Sequence, residues 1–474
     1  MTRFANYLRI VLPGIDPQIS VLASRALGRL ALAGGTLTAD FVEFEVKRAL
    51  EWLQGDRNDA RRYAAVLVLN ELGQNAPTLV YSYVQSILDH IWVALRDTKV
   101  NIREGAAEAL RACLDILAQR ESSQKPWLQV FEEAQRGLKM NTTETIHGSL
   151  LTIRELLYFT KFMQQQQRYN DIYEILRQYK DHRDALIRRT VVSLIPSVAA
   201  LQPELFARDH LQTMMTYILN GLKKDKDKDR APAFNAIGKV AIVMEVGMTP
   251  YLEAILAIIR ESLVPRTRGK VDPNNAPVFV CISMLAVAVG QALTRHMHPL
   301  LELMFNTGLS EPLTEALVNL AQHIPPLLPT IQDKLLDMLA IVLSGQSYRH
   351  PGAPSNDTNG NSSVVHMLKE LSIPEHQAEV TLALRTLGSF DFTGHNLNEF
   401  VRECVVSYLE ADNAEVRQAA AQTCCSLLLC DHIHSRSVST RAIQIVGEVL
   451  EKLLTVGITD PGTPFFVITL VLIF

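Results

Sequence analysis

Between Asp97 and Leu117 small and apolar residues return every three or four positions: Ile102, Ala106, Ala109, Leu110, Cys113 and Leu117. This spacing lays one stripe along a helix, and Glu104, Glu108, Arg111 and Asp115 fall on the other side. Asp97 stands just ahead, where a short carboxylate accepts amide protons that the first helical turn leaves unpaired. Arg103 opens the helix, and the small Ala106 and Ala107 behind it let a neighbouring helix come close. One helix cannot bury such a stripe alone, so the pattern predicts its own recurrence.

It does recur. An arginine followed three places later by a small or apolar residue serves as the marker. Asp56, Arg61 and Ala64 form one copy, and Asp97, Arg103 and Ala106 the next. His147 with Leu150, Arg188 with Val191, and Arg230 with Ala233 continue the series. By subtraction of marker positions the steps are 42, 44, 41 and 42 residues. Weaker copies lie at Val278, Thr314 and Thr381, and a sharp one at Asp412, Arg417 and Ala420. A degenerate copy near Val21 has Asp16 upstream. A period of about 40–47 residues with two helices per unit is that of HEAT and armadillo arrays. The expected fold class is all-α, an α-solenoid of about ten such helix pairs.

Punctuation divides the array. Residues 1–15 precede the first copy, and a helical solenoid is expected over 16–343. Residues 344–377 contain RHPGAPSNDTNGNSS, too polar and too rich in breakers to pack a stripe, and predict a mobile loop. The solenoid resumes over 378–460, with a last helix from Arg441 to Leu454. The segment 461–474 ends in the apolar GTPFFVITLVLIF, which suits an array cut in mid-repeat, because arrays close on a polar cap. Gln164 to Gln167 reads as a loop or a frayed helix end.

Composition adds limits. Hydrophobic residues are 48% and charged residues 20%, which fits an ordered soluble chain. The balance of 46 cations against 50 anions gives −4, too small to point to nucleic acid. Six cysteines, mostly on apolar faces, read as reduced core thiols. No transmembrane segment is expected, since the longest apolar runs, Ala276 to Val289 and Pro464 to Phe474, fall short of about 18 residues.

Candidate chemistry is thin. His182-Arg183-Asp184 looks like a kinase catalytic loop, but Arg189 stands where the metal-binding Asn is needed. Asp391 to Gly394 only approximates the DFG triplet. Cys424, Cys425 and Cys430 with His432 and His434 fit no common zinc spacing, and core cysteines are the better reading. His296 and His298 flank Met297 as surface residues. Lys223 to Arg230 interleaves its charges, which suits a solvated turn better than a phosphate track. No catalytic, cofactor or metal residue is therefore assigned.

Several strings carry a specific resemblance: VEFEVKRALEWL and DRNDARRYAAVLVLNEL (Val42 to Leu72), IREGAAEALRACL (Ile102 to Leu114) and FVCISMLAVAVG (Phe279 to Gly290). RHPGAP (Arg349 to Pro354), TLALRTLGSFDFTGHNLNEFVR (Thr381 to Arg402) and VLEKLLTVGITDP (Val449 to Pro461) extend it. Over residues 15–461 the chain resembles the N-terminal HEAT-repeat region of the target-of-rapamycin (TOR) kinases, in the phosphatidylinositol-3-kinase-related group. Two departures stand out. Gly462 to Phe474 replaces a further marker of the family, and the stretch from Gln164 to Asn170 lacks a long insertion, as in a divergent or invertebrate-like version.

The resemblance implies a protein-interaction scaffold supporting a serine/threonine kinase whose catalytic region, with its ATP and Mg, lies outside this chain. It implies Raptor- or Rictor-type subunits and a second TOR chain as partners. It also implies a cytoplasmic location, a nuclear one, or attachment to lysosomal and other endomembranes through the complex. The alternative is a HEAT-repeat transport or adaptor protein of the importin type, with the same architecture and no kinase.

Overall fold

The computed structural model describes residues 2–429 apart from 15, 36–37, 121–123, 164, 225–229, 265–274, 349–373, 396 and 398–399. The loop expected over 344–377 lies largely outside the described residues. The expected helix from Arg441 to Leu454, the apolar tail, and the Cys430, His432 and His434 positions lie wholly outside them. Among the described residues every regular element is helical, and the all-α expectation holds.

The chain divides into two units, Met1–Ala236 and Ile237–Phe474. In the first, helices Pro17–Leu32, Asp59–Asn75, Val100–Arg120, Thr143–Leu156 and Ala185–Leu201 pack side by side in sequence order as one layer. The helices Thr38–Gly55, Val84–Leu95, Lys125–Leu138 and Gln166–Tyr179 precede them in turn and pack on them as partners. The expected single stripe understates this burial. Along Val100–Arg120 the face with Ile102, Ala106, Leu110 and Cys113 is buried, and so are Ala107, Ala112 and Leu114, because neighbours cover the helix on several sides. Glu104, Glu108 and Asp115 stay exposed and Arg111 half-buried.

Close packing needs small residues. An added Cβ on Gly148 would lie 1.7 Å from the Leu95 carbonyl oxygen, so helix Thr143–Leu156 crosses the end of Val84–Leu95 in backbone contact. A Cβ on Gly105 would lie 2.8 Å from a side-chain methyl of Val66.

The second unit repeats the scheme. Ala276–Val289 packs on Glu311–His323, Leu252–Leu263 on Thr294–Phe305, and Pro374–Ser389 on Ala414–Leu429. A π-helical turn, Val401–Val405, runs into the 3-10 turn Val406–Glu410.

The expectation of no membrane-length segment needs a correction. Two helical stretches, Arg230–Leu263 and Ala276–Phe305, are long and apolar enough to cross a membrane. The 3-10 turns Glu245–Tyr251 and Gly290–Leu293 keep the chain helical between neighbours, joining runs that look separate in sequence. Ile255, Ile259, Ile282, Leu285, Met297 and Leu301 from these stretches are buried in the protein.

Candidate functional site: arginine rungs between repeats

Three of the marker arginines, Arg103, Arg188 and Arg417, perform one job. Arg103 is 2% exposed, and its Nη1 donates to the carbonyls of Asp97 (2.6 Å) and Thr98 (3.1 Å), six and five residues back. Arg188 does the same to His182 and Arg183, at 3.0 Å each. Arg417 follows with Ala411 (2.8 Å) and Asp412 (2.9 Å). Each arginine stands at the fourth residue of its helix and closes the turn that enters it. Those carbonyls have no helical partner, and a charged donor answers them more strongly than a neutral one.

In the first copy the rung is Arg62, whose Nη1 donates to the Asp56 carbonyl at 3.0 Å. The expected Arg61, one residue earlier, instead makes an exposed ion pair with Asp56 at 2.8 Å. That arginine and the amide of Asn58 hold the Asp56 carboxyl below its usual range. Arg230 is also displaced: it is the first described residue of its helix, and Ala233 occupies the fourth place. The paired small residues Ala64, Ala106, Ala233 and Ala420 are all buried.

Short side chains cap the same turns. Asp97 Oδ1 accepts from the Lys99 amide at 2.9 Å, within the turn before the helix. Asp184 caps Leu186, which accounts for the kinase-like His182-Arg183-Asp184 as a helix entry. Asn58 and Asn413 serve as caps where the sequence reading had singled out Asp56 and Asp412.

Two rungs reach into the next repeat. Arg62 Nε donates to Asp97 Oδ2 at 2.7 Å, and Arg103 Nε to His147 Nδ1 at 2.9 Å. Desolvation, reinforced by Arg103 and Arg154, holds the His147 imidazole down at about 4, in its neutral form. Elsewhere the fully buried Glu155 carboxylate is held by Arg111 and Arg154, and the fully buried Glu45 by Arg9 and Arg48. Sequence spacing gave no signal for these pairs, since one partner in each lies 36 or 44 residues away.

Reactive groups are quiet. Burial pushes the Cys113 and Cys281 thiols up to about 12 and Cys425 to about 11, and raises Cys424 further. Among the described residues no three His, Cys, Asp or Glu side chains form a group that could hold a metal ion. His298 is exposed and His296 half-buried, its Nε2 accepting from Arg295 Nε. The arrangement is built to join helices and present their outer faces.

No family model matches the chain. In fold it is similar to the karyopherin Kap121p (TM-score 0.57, 14% identity), covering 98% of this chain and 48% of that one. Kap121p bound to Ste12p gives a TM-score of 0.57 at 13% identity, over 97% of this chain and 47% of that one. Identities this low carry the helical-repeat fold and nothing else.

By sequence the chain is 44% identical over 470 residues to the serine/threonine-protein kinase tor1 of Schizosaccharomyces pombe, covering 97% of this chain and 20% of that protein. It is 40% identical over 473 residues to the serine/threonine-protein kinase TOR of Arabidopsis thaliana, covering 97% of this chain and 19% of the relative. The mTor kinase of Drosophila melanogaster is 27% identical over 96% of this chain and 22% of its own length. The chain thus spans about a fifth of the length of these relatives. It is homologous, along nearly all of its own length, to one region of the TOR serine/threonine-protein kinases.

Proposed function

We propose that this chain is a protein-interaction scaffold, the helical-repeat part of a TOR-type kinase that supports assembly of its complexes in growth and nutrient signalling. The observation that carries the reading is the 44% identity to a TOR kinase across 97% of the chain. An array that fixes its turns with one buried arginine, Arg103, and half-buried ones at 62, 188 and 417, and leaves charged residues such as Glu104 and Glu108 outside, suits a rigid platform. The partners proposed are Raptor- and Rictor-type subunits, as in TORC1 and TORC2, and a second TOR chain. Phosphorylation of serine and threonine, with ATP and Mg, is assigned to the rest of the whole protein, and no cofactor is placed in this chain. The location that follows is cytoplasmic or nuclear, or on lysosomal and other endomembranes through the complex.

Co-purification tests the reading. The chain, immobilised, should retain a Raptor-type subunit from the same organism and should not retain an importin cargo peptide. Loss of the first result, with cargo bound instead, would establish the transport-factor alternative.

A further inference from the structure

We draw no further inference here: the strongest candidate, the outward apolar stripe that Phe4, Tyr7, Ile10 and Val11 form on the helix Thr2–Val11, is an unpartnered face, and nothing in the structure shows what covers it.

Discussion

Arg103 Nε donates to His147 Nδ1 across 2.9 Å, joining two helices whose contact residues are 44 apart in sequence. The imidazole must be neutral to accept, while the guanidinium is anchored on the Asp97 and Thr98 carbonyls. Removing Arg103 leaves the acceptors on buried Asp97 and His147 without this donor. Arg103→Met should then cost about 3 kcal/mol, as expected for a broken buried polar network. Hydrogen exchange of the amides in Val100–Arg120 reads this locally, and protection equal to the parent would exclude the role assigned to the rung.

The same pair fixes a pH dependence. The folded value for His147, about 4, lies below the ordinary 6.5, so the unfolded chain binds more protons between the two. Stability should therefore be full above about pH 6.5 and decline as the pH falls toward 4, by up to about 3 kcal/mol from this group. His147→Asn should flatten that part of the curve. Urea midpoints of parent and variant between pH 7.5 and 5 make the comparison, and parallel curves would rule His147 out as the source.

Gly148 and Gly221 should respond oppositely to alanine. A Cβ at 148 collides with the Leu95 carbonyl, whereas one at 221 meets nothing within 4 Å. Gly148→Ala should destabilise the first unit by several kcal/mol, and Gly221→Ala should add about 0.5–1 kcal/mol through helix propensity. Melting temperatures moving in the same direction would contradict the packing described.

Ala106 is fully buried at a helix crossing. Ala106→Leu should cost about 1–3 kcal/mol by overpacking. An unchanged urea midpoint would place that face elsewhere.

The thiols give a simple probe. Cys113 and Cys281 are buried, with values pushed to about 12, so at pH 8 they carry almost no thiolate. A disulfide reagent should modify neither in the native chain and both after unfolding in urea. Fast native modification of Cys113 would show that Val100–Arg120 opens readily.

Much of this fold was legible because helical arrays write their period into the chain. Arg103, Arg188 and Arg417 could be found from spacing, since each precedes a buried residue by three positions in a pattern that returns. Arg61 and Arg62 could not be separated that way, as adjacent arginines with Ala64 and Ala65 behind them satisfy the same rule. Only the helix start at Asp59 decides for Arg62. Arg230 follows an alternating charge run that hides where its helix begins. Glu45 and Glu155 read as surface carboxylates; their burial depends on arginines brought in by tertiary packing, Arg9 in one case and Arg111 in the other.

The carbonyl clamps have a kinetic consequence. Each is closed by an arginine only five or six residues downstream, so these repeats can set their entry turns before any distant part of the chain has arrived. Low contact order of this kind favours rapid folding. A chain emerging from the ribosome can secure one repeat at a time, with no need to wait for its far end.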